Sequence, residues 1–342
     1  MITLRDQPAI FILASERSGT NLLRSILSSH SKISSPPPSG MVVGLHPVFE
    51  AFKRAGAPLP LEKIISYANE LTQTHMNKWV HCPEPDEVLA ALPVAPTFWD
   101  LFAAYNLYFS EKSGGEIWLS KEPGLIGHAV EIAATFPNAH VVHLVRDGRD
   151  VAVSMVRKRH YANTMRQGIA RWTREQEKML DALKDSRVSD ITHTIRYEDL
   201  TASPEAVLRP LMTRVGLEFE ASQLEYYSSS ETIKHSQSSI FWKELAQPIK
   251  ADNSQKYLKE MDARELEYVE AEGGAVLKQL GYELHNPNPR PIRLHEKLGE
   301  KLREKADSRP PDAMSAEEVE QRKKLGTLFG ELNSLVKSAK GP

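Results

Sequence analysis

The sequence predicts an α/β fold in which helices cover both faces of a mainly parallel β-sheet, with a helical C-terminal extension. Three observations carry this expectation. Short apolar runs rich in β-branched and aromatic residues, such as Ala9–Ala14 (Ala-Ile-Phe-Ile-Leu-Ala), have the continuous hydrophobicity of strands buried on both faces. Segments with apolar residues at helical spacing alternate with these runs, as they do when parallel strands are joined by crossover helices. The chain has 342 residues, 41% hydrophobic and 26% charged, which is ordinary globular composition with enough length to bury a substantial core.

Ala9–Ala14 is the first expected strand. It runs into a polar loop, Ser15-Glu16-Arg17-Ser18-Gly19-Thr20, after which Leu22, Leu23, Ile26 and Leu27 recur at helical spacing. Ile117–Ser120 reads as a short strand, Ile126–Thr135 as a helix and His140–Val145 as a strand, with Pro137-Asn138 breaking the chain between the last two. Asp147–Arg157 follows as a helix. A longer one is marked by Ile169, Trp172, Gln176, Met179, Leu180 and Leu183, and Ile191–Arg196 reads as a further strand. Ligands of such a sheet sit at the C-terminal ends of its strands.

Two stretches interrupt the alternation: Ser34–Pro60, with its Pro36-Pro37-Pro38 run, and Thr232–Gln255. Both read as long loops near a site. Trp79, Phe98, Trp99, Phe102, Tyr105 and Tyr108 fit core positions better than an apolar acceptor pocket. The Asn286–Pro291 segment (Asn-Pro-Asn-Pro-Arg-Pro) reads as a linker, which puts a main domain at 1–286 and a charged helical extension at 287–342. In that extension Leu294, Leu298 and Leu302 form one stripe, and Leu325, Leu328, Leu332 and Leu335 a second. Such stripes fit a helix packed back on its own domain, and less well an arm for homo-oligomer formation.

Lys and Arg number 43 against 45 Asp and Glu, so no global field favours nucleic acid or an anionic membrane, and any phosphate site must be local. The single cysteine, Cys82, allows no intrachain disulfide and fits a reducing compartment. The apolar run near the N-terminus is too short for a signal core or a membrane span, so a cytoplasmic protein is expected.

Two loops carry the chemistry. A loop between a buried strand and a helix N-terminus presents unpaired N–H groups and the positive end of the helix dipole, which suits an anion. Arg17–Asn21 is such a place. A triphosphatase loop would read G-x-x-x-x-G-K-[ST]; here Ala14 replaces the first glycine and Thr20 stands where the lysine belongs. Arg17 supplies the cation instead, beside Gly19 and the hydroxyls of Ser18 and Thr20. The same residues also fit an ordinary tight turn with an N-cap. Arg146 leaves the end of the 140–145 strand, and Ser154 lies about two helical turns further on, so one arginine and one hydroxyl can share a phosphate. The alternative for Arg146, Asp147, Arg149 and Asp150 is a solvated, salt-bridged helix start.

In this order the two loops resemble those of the sulfotransferase superfamily, whose donor is 3′-phosphoadenosine 5′-phosphosulfate (PAPS) and whose product is 3′-phosphoadenosine 5′-phosphate (PAP). The resemblance covers about residues 9 to 282 and implies a P-loop-like fold. Arg17, Ser18, Gly19, Thr20 and Asn21 match the motif that holds the 5′-phosphosulfate, with Asn21 where a threonine is common. Arg146 and Ser154 match the two contacts to the 3′-phosphate. Lys121, in Ser-Lys-Glu-Pro, resembles the K-D-P lysine of the branch that includes tyrosylprotein and many bacterial sulfotransferases. Tyr197, in Arg-Tyr-Glu-Asp-Leu, resembles that branch's [KR]-Y-E-D-L element, and Lys250 corresponds loosely to a late lysine that reaches cofactor phosphate.

The resemblance implies in-line sulfuryl transfer to a hydroxyl or amine of a small-molecule, lipid, sugar or peptide acceptor, with Arg17 and Lys121 neutralising the charge that grows on the departing oxygen. No metal is expected. The branch's glutamate base would fall near Pro38, where no Glu occurs; His46 and, less favourably, Glu50 are the nearest titratable candidates on that segment. A P-loop kinase or nucleotide hydrolase and a non-catalytic nucleotide-binding protein are the competing functions.

Overall fold

The computed structural model describes residues 3–74, 77–158, 162–239, 242–251, 253–289 and 315–339. Five strands form one sheet: β1 (Ala9–Leu13), β2 (Ile33–Ser34), β3 (Ile117–Ser120), β4 (Ala139–Val145) and β5 (Thr192–Arg196), in the order β2-β3-β1-β4-β5. Every pairing is parallel. All five residues of β1 are buried, as its unbroken apolar run requires of a central strand.

Alternate residues along the strands feed two separate cores, because side chains in a strand point to opposite faces. Phe11, Leu13, Trp118 and Val141 face helices α2 (Met41–Ala55), α3 (Leu61–Thr74), α5 (Phe98–Lys112) and α6 (Ala129–Thr135). Ile10, Ile12, Leu119, Val142 and Leu144 face α1 (Thr20–Ser28), α10 (Tyr197–Ala202) and α11 (Pro204–Val215). A third cluster closes the end of β4 with α7 (Gly148–Lys158), α8 (Met165–Ala182) and α14 (Ala263–Gln279). The short helices α4 (Pro85–Ala91), α9 (Ser186–Ser189), α12 (Ser230–Gln237) and α13 (Tyr257–Glu260) complete the order up to α14. Trp79, Phe98, Trp99, Phe102 and Tyr105 are buried in the first core.

The 34–60 segment differs from its sequence reading. It begins in β2 and continues as the helix α2, although Gly44 and Pro47 lie inside the helix. Met41, Leu45, Val48, Phe49 and Phe52 all face the core, and this burial offsets the propensity cost of the two helix breakers. The 232–255 segment likewise contains most of α12 and a short 3-10 turn at Lys243–Ala246.

The last described helix, α15 (Ala316–Ser338), packs against α2 and α3. Leu328 and Leu332 are buried in the same cluster as Phe11 and Leu45. A Cβ on Gly44 would come within 2.9 Å of the Phe329 ring, so the two helices approach closely where that side chain is missing. The stripe at Leu294, Leu298 and Leu302 lies outside the described residues. Among the described residues no helix is long and apolar enough to cross a membrane.

A polar chain, buried at His143, Gln176 and Ser15, runs from the exposed Thr194 of β5 to the end of β1. Thr194 Oγ1 lies 3.4 Å from His143 Nδ1, His143 Nε2 donates to Gln176 Oε1 (3.0 Å), and Gln176 Nε2 donates to Ser15 Oγ (3.1 Å). Burial holds the His143 ring neutral by lowering its pKa to about 4. The unfolded chain therefore takes up this proton first as pH falls through about 6.5, and stability falls until about pH 4, by about 3 kcal/mol for this one group. Urea unfolding on either side of that window should show the loss, and His143→Gln should shrink it; an undiminished loss in the variant would reject the assignment.

Candidate functional site

The site is set by the pairing of β1 with β4: β1 ends at Leu13 opposite His143, and β4 runs two residues further to Val145. The chain leaves β1 toward β2 on one side of the sheet, whereas β4 leads to β5 on the other, so a crevice opens between the two loops. The loop after β1 is shaped by Arg17 (φ 72°) and Gly19 (φ 92°), two left-handed residues in three. This curls backbone N–H groups toward one concavity, a geometry that suits anions. Gly19 lies on the ring of Tyr197, where an added Cβ would stand 2.5 Å from a ring carbon. Arg17 Nε donates to Ser154 Oγ (3.2 Å), so the first residue of one motif touches the last of the other. Ser18 Oγ and Asn21 Oδ1 are buried without a hydrogen-bond partner; buried polar atoms are usually paired, and Asn21, which lines the crevice, is open to a ligand.

Arg146, at the end of β4, is 7% exposed. Its two terminal nitrogens donate to the carbonyls of Arg17 (3.1 Å) and Asn253 (2.9 Å), and its guanidinium lies 4.3 Å over the ring of Tyr197. Arg149 turns away from the crevice. It pairs with Asp147 (2.8 Å) and Glu270 (2.6 Å), all three buried, and so anchors α7 to α14. The charge cluster 146–150 is therefore an interior network rather than a solvated helix start, and breaking such a network by removing one partner is costly.

The crevice deepens into a cavity of about 680 Å³. Arg17, Gly19, Thr20, Asn21, Lys121, Arg146, Ser154, Tyr197 and Lys250 all line it. Lys121 is supplied by the end of β3 and is 7% exposed. Tyr197 opens α10 directly after β5, and its hydroxyl accepts from Asn253 Nδ2. Lys250 is ion-paired with Glu244. Ser18 packs beneath the loop rather than on the wall.

Sequence reasoning missed Arg157, Trp242, Lys243, Asn253 and Lys256, which also line the cavity. Burial lowers the pKa of Lys256, and the charges of Arg146 and Arg157 lower it further. Cations crowded in this way make a strong positive field in a shielded pocket, the condition under which an anion binds well. Arg157 closes the predicted α7, and Lys256 falls one residue past the stretch read as a site loop. Nothing local in the sequence marks Lys256 as turning inward, whereas Arg157 stays 57% exposed at the cavity rim and pairs with Glu260.

His46 is a correction. It lies on α2, does not line the cavity, and donates from Nε2 to Glu131 Oε2 (2.8 Å). Glu50, on the same helix, is also absent from the cavity wall. A loop over 34–60 could reach the strand ends, whereas α2 is a helix that keeps both side chains off the cavity wall. Pro38 does line the cavity. Its neighbours Ser39 and Gly40 donate backbone N–H groups to the buried Glu122 carboxylate, whose pKa burial pushes up to about 7, and Trp79 Nε1 donates to the Pro37 carbonyl (2.8 Å). The Pro36–Gly40 turn is thus held from both sides.

Gly19→Ala should be severely destabilising, because the Cβ meets the Tyr197 ring and an L-residue at this φ is strained. A loss of about 2 kcal/mol or more in chemical unfolding is expected, and an unchanged midpoint would show that the loop relaxes freely.

Comparison with known proteins adds independent findings. The profile described as "Sulfotransferase family" matches residues 8–221. An uncharacterised protein of Aquifex aeolicus (strain VF5) is 28% identical over 233 residues, 66% of this chain and 28% of that protein. Protein-tyrosine sulfotransferase 1 of Danio rerio is 23% identical over 229 residues, 65% of this chain and 57% of that protein. The matches thus span less than two thirds of either relative. Among solved structures, the sulfotransferase domain from the curacin biosynthetic pathway superposes with TM-score 0.53 at 23% identity, covering 82% of this chain and 99% of that one. The sulfotransferase domain from the Synechococcus PCC 7002 olefin synthase gives TM-score 0.53 at 20% identity, covering 82% and 96%. These two likenesses are likenesses of fold.

Proposed function

The chain belongs to the sulfotransferase family, and on that premise we propose that it transfers a sulfuryl group from PAPS to a hydroxyl or amine acceptor and releases PAP. The observation that carries the reading is the convergence of Arg17, Lys121, Arg146, Ser154 and Tyr197 on one cation-rich cavity. These residues come from the ends of four different strands or the helices that follow them.

The residues present fit such a donor. The unpaired Asn21 Oδ1, on the cavity wall, belongs to the loop that would hold the 5′-phosphosulfate, with Ser18 fully buried in the same loop. Arg146, Ser154 and Lys256 would hold the 3′-phosphate, since a dianion offsets the crowding of Lys256 against Arg146 and Arg157. Tyr197 braces the site by packing against Gly19 on one side and the Arg146 guanidinium on the other. In the reaction the acceptor oxygen or nitrogen would bond to sulfur as the bond from sulfur to the bridging phosphate oxygen breaks, with PAP leaving and the acceptor's proton released. Arg17 and Lys121 neutralise the charge that moves to that oxygen, a stabilisation realised most fully in the transition state. With no lysine at Thr20, the loop lacks the group a triphosphatase uses on its β and γ phosphates. The apolar wall of Pro38, Pro123, Trp242, Leu245 and Ile249 is the face on which an acceptor would lie.

Calorimetric titration should give PAP binding far tighter than ATP with Mg²⁺, and the reverse order would support a kinase or hydrolase. Arg146→Ala should weaken PAP by about 10- to 100-fold, the loss of about 1.5–3 kcal/mol expected of hydrogen bonds to a charged group. Lys256→Ala should do likewise. With ³⁵S-labelled PAPS and a panel of phenol, sugar, lipid and peptide acceptors, Lys121→Ala should lower turnover by about 10²–10³ with a much smaller change in PAP affinity. Transfer that persists at the wild-type rate in this variant would remove Lys121 from the mechanism.

A further inference from the structure

Away from the cavity, His46 on α2 and the pair His128 and Glu131 at the start of α6 form a compact cluster. His46 Nε2 lies 2.8 Å from Glu131 Oε2, His128 Nδ1 lies 2.9 Å from Glu131 Oε1, and the three ligand-type atoms all fall within 4.8 Å of one another. The imidazole centroids are 4.3 Å apart. Two imidazole nitrogens and a carboxylate oxygen so placed converge on one point, where a single metal ion could take all three as ligands.

The surroundings are built to hold these groups in place. His46 packs edge-on against Phe98 (5.2 Å) and Trp99 (5.8 Å), and His128 against Trp99 (5.7 Å). Trp99 Nε1 donates to Glu131 Oε2 (2.9 Å), an outer contact of the kind that orients a ligating carboxylate. Side-chain exposure rises from 12% at His46 to 21% at His128 and 45% at Glu131, so solvent reaches one side of the cluster.

From this geometry we propose that His46, His128 and Glu131 bind a divalent transition-metal ion, with Zn²⁺ the best fit. Two imidazoles and one carboxylate are a common three-ligand zinc set, with water in the fourth position. Bonds of about 2.0–2.1 Å place tetrahedral ligands about 3.3 Å apart, so the two His–Glu contacts would lengthen by about half an ångström while wider pairs within the 4.8 Å cluster draw in. In the metal-bound form each ring would be neutral, with its proton on the nitrogen that faces away from the ion. The ion would join the helix that begins three residues after Pro38 to the turn that follows Lys121 and Pro123. It would stiffen the acceptor side of the cavity without touching reactants, and the proposal does not depend on the reaction being sulfuryl transfer.

The full chain, stripped with EDTA and desalted, is titrated with ZnCl₂ by calorimetry. One saturable equivalent is expected, weakened at least tenfold in His128→Ala and in Glu131→Gln. Co²⁺ should give the visible absorption of a four-coordinate site in the wild-type protein, and this should be lost in both variants. Zn²⁺ should raise the melting temperature of the wild-type protein but not of Glu131→Gln, which keeps the packing volume and serves if His128→Ala does not fold. Weak uptake at several sites that the variants leave unchanged would mean an adventitious ion only, with the cluster an ordinary hydrogen-bonded network, and would overturn the proposal.

Discussion

The register of β1 against β4 is the constraint on which the site depends. Because Leu13 stands opposite His143 in adjacent parallel strands, the loops that leave them emerge side by side. Residues more than 120 positions apart in sequence thereby reach hydrogen-bond distance, as Arg17 does with Ser154 and Arg146 does with the Arg17 carbonyl. A slip of one residue would send the apolar side chains of β1 to the wrong faces. The two hydrophobic cores that fix the sheet therefore also fix the anion site.

Once the loops are adjacent, a concentration of positive charge must be tolerated, and the fold manages it by dividing the arginines. Arg149 is neutralised inside by Asp147 and Glu270. Arg146 is oriented by two carbonyls and the face of Tyr197, and its charge is offset in part by the buried Asp150 carboxylate at 3.9 Å. Lys256 and Arg157 add to the field. The cavity thus keeps a positive potential that an anionic ligand can relieve, while the charge not needed for binding is used to hold α7 against α14.

The opposite wall rests on contacts that are distant in sequence. Glu122 holds the Pro36–Gly40 turn through Ser39 and Gly40, and α15 packs over Gly40 and Gly44 with Phe329. The same helix also reaches the segment that follows α12, where Glu318 accepts from Ser239 (2.9 Å). A helix that the composition shift assigns to an extension is in contact with the main domain at both places.

Much of this was legible in the sequence, and the division follows from the range of the interactions. Strands at 9–13, 117–120, 139–145 and 192–196 were readable because an unbroken apolar run is a local signature of a buried strand. Arg17–Asn21 and Arg146 with Ser154 were readable because a loop between a strand and a helix carries its own dipole and donors. Lys121 and Tyr197 were found through resemblance, and the structure places both on the cavity wall. β2 has only two residues, too few for periodicity to register. α2 was hidden by its own Gly44 and Pro47, which local propensity counts as breakers and tertiary burial outweighs. The inward turn of Lys256, the removal of His46 from the cavity and the meeting of His46 with His128 and Glu131 were decided by tertiary structure alone. Each depends on which elements pack together, and that is settled by the burial of two sheet faces rather than by any residue's neighbours in the chain.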